Sequence, residues 1–115
     1  HLKDDYSISE AQVDDDGWMC FRTLQQLNLR EEGITVLGVD RKGKGYFGSP
    51  SGNFEMLPGD IVTLYGKIEG IKSLYNRKKD FYAQQEHIKF KVQEEIRKDT
   101  EQQRIDGDRK APHNN

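Results

Sequence analysis

The hydrophobic residues gather between Trp18 and Tyr75 and thin out beyond. The densest run is Ile61-Val62-Thr63-Leu64-Tyr65, bounded by Pro58-Gly59-Asp60 on one side and Gly66-Lys67 on the other. β-Branched, aromatic and apolar residues between turn formers predict a strand. Ile61, Thr63 and Tyr65 face one way and Val62 and Leu64 the other, so this strand is expected to be covered on both faces. Ile34 to Val39 has the same character. The two runs are expected to lie side by side as the covered middle of one sheet.

Weaker patterns complete the domain. Ser7 to Val13 carries Ala11 and Val13 in alternation, a faint strand signal. Arg22 to Asn28 reads as a short helix through Leu24 and Leu27, with Gly33 placed to end the turn after Arg30-Glu31-Glu32. Tyr46-Phe47 begins a return strand that Gly48-Ser49-Pro50-Ser51-Gly52 cuts short. Phe54 and Met56 alternate into the Pro58-Gly59 corner, and Ile68, Ile71 and Leu74 recur at three-residue spacing, as a short helix on the sheet would require. The order strand, helix, strand, strand, strand, helix describes an α+β fold.

Beyond Asn76 the composition changes. Arg77 to Ile105 lacks proline and glycine and is rich in Gln, Glu, Lys and Arg, all good helix formers. Glu94 with Lys98 and Arg97 with Glu101 stand at helical ion-pair spacing. Phe81, Ile88, Val92 and Ile96 form a thin apolar stripe, fitting either a solvated helix packed loosely on the domain or a helix that bridges subunits. The expected organisation is a compact domain over 1–75, a charged helical extension over 76–106 and a disordered tail over 107–115.

Composition narrows the function. One third of the 115 residues are charged and the net charge is −2, so there is no global electrostatic case for nucleic acid or an anionic membrane. No run approaches the length needed to span a bilayer. The first residue is His1 rather than methionine, so the chain is expected to be a piece of a longer protein. A single cysteine, Cys20, excludes an internal disulfide and a cysteine zinc cluster, and its neighbours Trp18, Met19 and Phe21 make it a small buried hydrophobe.

Candidate chemistry is sparse. Asp14-Asp15-Asp16-Gly17 lacks the glutamate that a calcium loop needs at its twelfth position and reads as a solvated turn. Gly43-Lys44-Gly45-Tyr46-Phe47-Gly48 has dinucleotide-fingerprint spacing, but Ser49-Pro50-Ser51-Gly52 cannot open the helix that would hold a pyrophosphate. His1, His87 and His113 are scattered outside the expected core, and Asp60 is placed to bond backbone amides of its turn. No acid, base or metal constellation argues for an enzyme, which disfavours a nucleotide-processing activity. What remains is a basic turn, Arg41-Lys42-Gly43-Lys44, beside Tyr46 and Phe47. Cations next to flat rings suit a phosphorylated heterocycle, although a solvated hairpin tip with Phe47 in the core has the same pattern.

Thr23-Leu24-Gln25-Gln26-Leu27-Asn28-Leu29, Gly33 to Arg41, Pro50, Leu57-Pro58-Gly59-Asp60-Ile61-Val62-Thr63-Leu64-Tyr65-Gly66 and Ile71-Lys72-Ser73-Leu74 together resemble the TrkA-C domain, the C-terminal domain of regulators of potassium conductance (RCK). The resemblance spans about Ile8 to Tyr75. It implies a β-α-β-β-β-α sandwich acting as a dimeric cytoplasmic regulatory domain at the inner face of the membrane. Its partner would be a membrane-embedded cation channel or transporter, in the same chain or as a separate subunit. No cofactor and no nucleic-acid partner are implied. The regulatory ligand would be cyclic di-AMP or another nucleotide in a cleft between subunits, with ligand contacts matching Val39, Arg41, Tyr46, Phe47 and Pro50. A structural oligomerisation module without ligand is the alternative.

Overall fold

A computed structural model describes residues 5–110. β1 (Tyr6–Gln12), β2 (Thr35–Arg41), β3 (Gly45–Gly48) and β4 (Ile61–Lys67) form one antiparallel sheet in the order β1-β4-β2-β3. The two apolar runs are therefore its neighbouring central strands. Ala11 and Val39 both lie opposite Val62, while Ser9 and Val36 lie opposite Leu64. A bulge between Val36 and Gly38 resets the alternation of β2.

Cover is unequal on the two faces. Val39, Val62 and Leu64 are wholly buried, in one cluster with Leu27, Leu29, Met56, Ile71 and Leu74. Ile61, Thr63 and Tyr65 on the other face are only half-buried, and Ile8 on that side is 59% exposed. The expected burial of both faces is corrected to one, because the helices contribute their apolar residues to the Val62–Leu64 side alone. Trp18, Met19 and Cys20 are buried in the irregular segment after β1, and burial pushes the Cys20 thiol pKa up.

The first helix is shorter than its pattern. α1 (Leu24–Leu27) starts at Thr23, whose hydroxyl accepts from the Gln26 amide while the Gln26 side chain accepts from the Thr23 amide. It stops because Asn28 turns left-handed, at φ 48°, and a 3₁₀ turn (Leu29–Glu32) follows, closed by left-handed Gly33. Phe54 to Met56 does not become a sheet strand; Glu55 makes only an isolated bridge to Thr23.

α2 (Ile68–Asn76) lies where its three-residue spacing predicts. The charged helix, expected from Arg77, begins later as α3 (Phe81–Lys110), after Asp80 Oδ1 accepts from the Tyr82 amide. It continues through Gly107 to Lys110, correcting the expectation of disorder from Gly107; residues 111–115 lie outside the described residues. Arg97 reaches Glu101 at 2.8 Å as its spacing predicts, whereas Glu94 pairs with Arg97 at 2.7 Å rather than with Lys98.

Candidate functional site

A cleft of about 560 Å³ opens between α1, the 3₁₀ turn, the start of β2 and the Ser49–Gly52 loop. Its floor is apolar, formed by Leu24, Leu29, Ile34 and Val36. Gln25, Asn28, Arg30, Thr35, Ser49 and Pro50 make a polar rim. Alternation across the left-handed Asn28 creates this division: Leu27 and Leu29 turn into the core, and Asn28 and Arg30 turn outward. The loop wall is pinned on both sides. The Ser49 amide donates to the Leu37 carbonyl at 2.9 Å, and the Gln25 and Leu24 amides donate to the Gly52 and Phe54 carbonyls at 2.9 and 3.0 Å. The free amides at the start of α1 are thus satisfied by the loop, so the cation of Arg30 is the anion-attracting group at this rim. Arg30 is exposed and makes no ion pair among the described residues. A greasy floor under one unpaired guanidinium suits a flat ring that carries an anionic group.

The residues singled out by sequence scatter around this cleft. Pro50 lines it. Val39 is wholly buried and presents no surface to a ligand. Arg41 forks onto Asp60, Nε to Oδ1 at 2.9 Å and a terminal nitrogen to Oδ2 at 2.8 Å, and also donates to the Glu55 carbonyl at 2.7 Å. Its guanidinium lies 4.6 Å from the Phe54 ring centre, and the Asp60 hydrogen bonds raise its pKa further. Arg41 is therefore engaged in holding the β4 corner through two of its nitrogens. Asp60 also accepts from the Leu57 amide at 2.9 Å, as its place after Pro58-Gly59 predicts. Phe47 packs on Phe54, ring centres 5.3 Å apart, beside Arg41. Tyr46 sits opposite Asp40 on the other face of the sheet, with its phenol over Gly38, where any side chain would collide with it. The sequence reading missed Arg30, which it treated as part of a helix stop; the Leu-Asn-Leu-Arg alternation was the available signal.

A second cluster lies on the other flank of the same 3₁₀ turn. Arg77, fully buried, donates to both oxygens of Glu32 at 2.9 and 3.0 Å and to Ser73 Oγ at 2.8 Å. Its guanidinium covers the Trp18 ring at 4.6 Å. His87 of α3 places Nδ1 2.5 Å from Glu32 and Nε2 3.2 Å from Glu31, and Lys91 lies 3.5 Å from Glu31. The hydrogen bond with His87, helped by Lys91, holds the Glu31 carboxyl below its ordinary value. Gly33 leaves room for Glu94, whose carboxylate would stand 2.7 Å from any Cβ there. Hydrogen bonding from Arg97 holds the Glu94 carboxyl low. His87 is thus part of the buried interior, against the expectation that all histidines lie outside it.

The TrkA-C domain family model matches residues 8–79. Probable potassium channel protein 2 of Methanocaldococcus jannaschii is 28% identical over 75 residues, which are 64% of this chain and 22% of that protein. The chain thus spans about a fifth of that relative. Among solved structures, the RCK C domain of the potassium transport protein KtrA, in complex with cyclic di-AMP, superposes with a TM-score of 0.53 at 23% identity, covering 63% of this chain and 82% of that one. The RCK_C dimer of Streptococcus agalactiae BusR with cyclic di-AMP gives 0.50 at 21%, covering 60% and 93%. BusR has also been solved with its busA-promoter DNA, where this chain matches 40% of the longer protein at a TM-score of 0.52 and 20% identity. These likenesses establish the fold. The family match, over more than half of the chain, places it in the TrkA-C domain family.

Proposed function

We propose that the chain is a ligand-sensing regulatory domain of a cation transport system, most specifically one for potassium, and acts through binding rather than catalysis. In this reading residues 1–75 are the sensory unit and 76–106 its helical extension. It works as a homodimer on the cytoplasmic side of a membrane-embedded channel or transporter. The ligand is a nucleotide of the cyclic di-AMP type, taken up in the cleft between α1 and β2. The observation that carries the reading is the cleft itself, an apolar floor large enough for a base with the unpaired cation of Arg30 at its rim. Complexes of KtrA and BusR with cyclic di-AMP support the choice of ligand. DNA belongs to BusR, a longer protein, and the acidic balance of this chain gives it no corresponding support. A ligand that prefers one dimer arrangement shifts the population toward it, by no more than its difference in affinity.

Isothermal calorimetry with cyclic di-AMP, cyclic di-GMP and ATP tests this reading. Saturable heat with cyclic di-AMP, weakened roughly tenfold or more in Arg30→Ala and little changed in Lys44→Ala, is expected, since a charge-assisted contact contributes about 1.5–3 kcal/mol. A dimeric mass in solution without heat from any of the three would instead favour an oligomerisation module.

A further inference from the structure

The 3₁₀ turn Leu29–Glu32 has two working flanks. Leu29 and Arg30 belong to the cleft. Glu31 and Glu32, the next two residues, hold Arg77 and α3. The turn is bounded by two left-handed residues, Asn28 at φ 48° and Gly33 at φ 81°, so it is a short piece between two backbone corners. α3 packs on the domain chiefly through this turn. Of its apolar residues only Ala83 is deeply buried, while Phe81, Ile88, Val92 and Ile96 are exposed. The family match ends at residue 79, two positions before α3 begins, so the helix lies outside the part this chain shares with the family model.

We infer that the turn is a mechanical link: occupation of the cleft tightens the docking of α3, making the helix the output arm of the sensor. This inference rests on the reading of the cleft as the ligand site. To leave the domain, α3 must separate His87 and Lys91 from Glu31 and Glu32, and the turn must relax as they part. A ligand held by Asn28 and Arg30 restrains the same backbone and opposes that relaxation. Because the coupling is between binding equilibria, it is reciprocal: loosening α3 weakens the ligand by the factor by which the ligand tightens α3.

Amide hydrogen exchange on the full chain over residues 81–97 reads the docking, and cyclic di-AMP is the first probe. Where calorimetry shows it bound, exchange is expected to slow about fivefold or more, and affinity to fall by a similar factor in His87→Ala. Binding with exchange unchanged within about twofold would overturn the link while leaving the ligand site standing. Should cyclic di-AMP not bind, the cleft reading loses its ligand, and the link is judged by filling the cleft covalently. Thr35→Trp, or Gln25→Trp if the first variant fails to fold, then slows exchange in α3 relative to Lys44→Trp if the link exists. Equal exchange in the cleft-filled and control variants would overturn it.

Discussion

α2 and α3 are attached to the same domain by opposite physics. α2 inserts Ile71 and Leu74 into the core and adds a hydrogen bond from Tyr75 Oη to the Glu10 carbonyl. α3 is moored by His87 on Glu32 and Glu31, Glu32 being held in turn by Arg77, with Ala83 the one deeply buried apolar side chain of the helix. Apolar burial is non-directional and tolerates small shifts. A buried hydrogen-bonded mooring is all or nothing, since parting its polar groups inside the protein leaves them without water or partner. The first suits a permanent part of the fold and the second an element with two discrete positions.

The sharpest way to break the contrast is at Arg77. Arg77→Ala strands Glu32 in the interior and is expected to destabilise by about 3–5 kcal/mol in a urea melt, whereas the double replacement Glu32→Leu with Arg77→Met should recover much of the loss. Leu64→Ala, in the apolar part, is expected to remove about 2–5 kcal/mol, with no comparable rescue by a second substitution. Acid should separate the two attachments. The Glu31 carboxyl, which meets His87 and Lys91 of α3, ionises more readily in the folded protein than its ordinary value of 4.5. The stability it lends is therefore full above that value and is lost as pH falls through the lower folded value. Fluorescence of Trp18, which lies against Arg77 and His87, is expected to report loss of the α3 mooring before far-ultraviolet circular dichroism reports loss of the sheet. The smallest effect is expected at the partly exposed Arg97, where Arg97→Ala should change stability by less than about 1 kcal/mol.

The same contrast explains what could be read from the sequence. β2, β4 and α2 were legible because apolar periodicity is a local pattern, and the Asp60 turn because Pro58-Gly59 announces it. Arg77 and His87 were not. Each looks like an ordinary member of a charged, solvated run, and only the fold brings Glu32 to them from 45 and 55 residues away. The pairing of Arg41 was hidden for a related reason, since its partner Asp60 lies 19 residues downstream and the sequence does not say which carboxylate a cation will meet. The one-sided burial of β4 was likewise hidden, because an apolar residue on a strand shows what could be covered and not what covers it.

Methyl chemical shifts of the chain during titration with cyclic di-AMP test the ligand site most directly. Saturable shifts are expected at Leu24, Leu29 and Val36 in the cleft, with the methyls of Ile8 and Ile61 on the far face of the sheet unmoved. Unshifted cleft methyls at saturating ligand, or shifts confined to the far face, would contradict it.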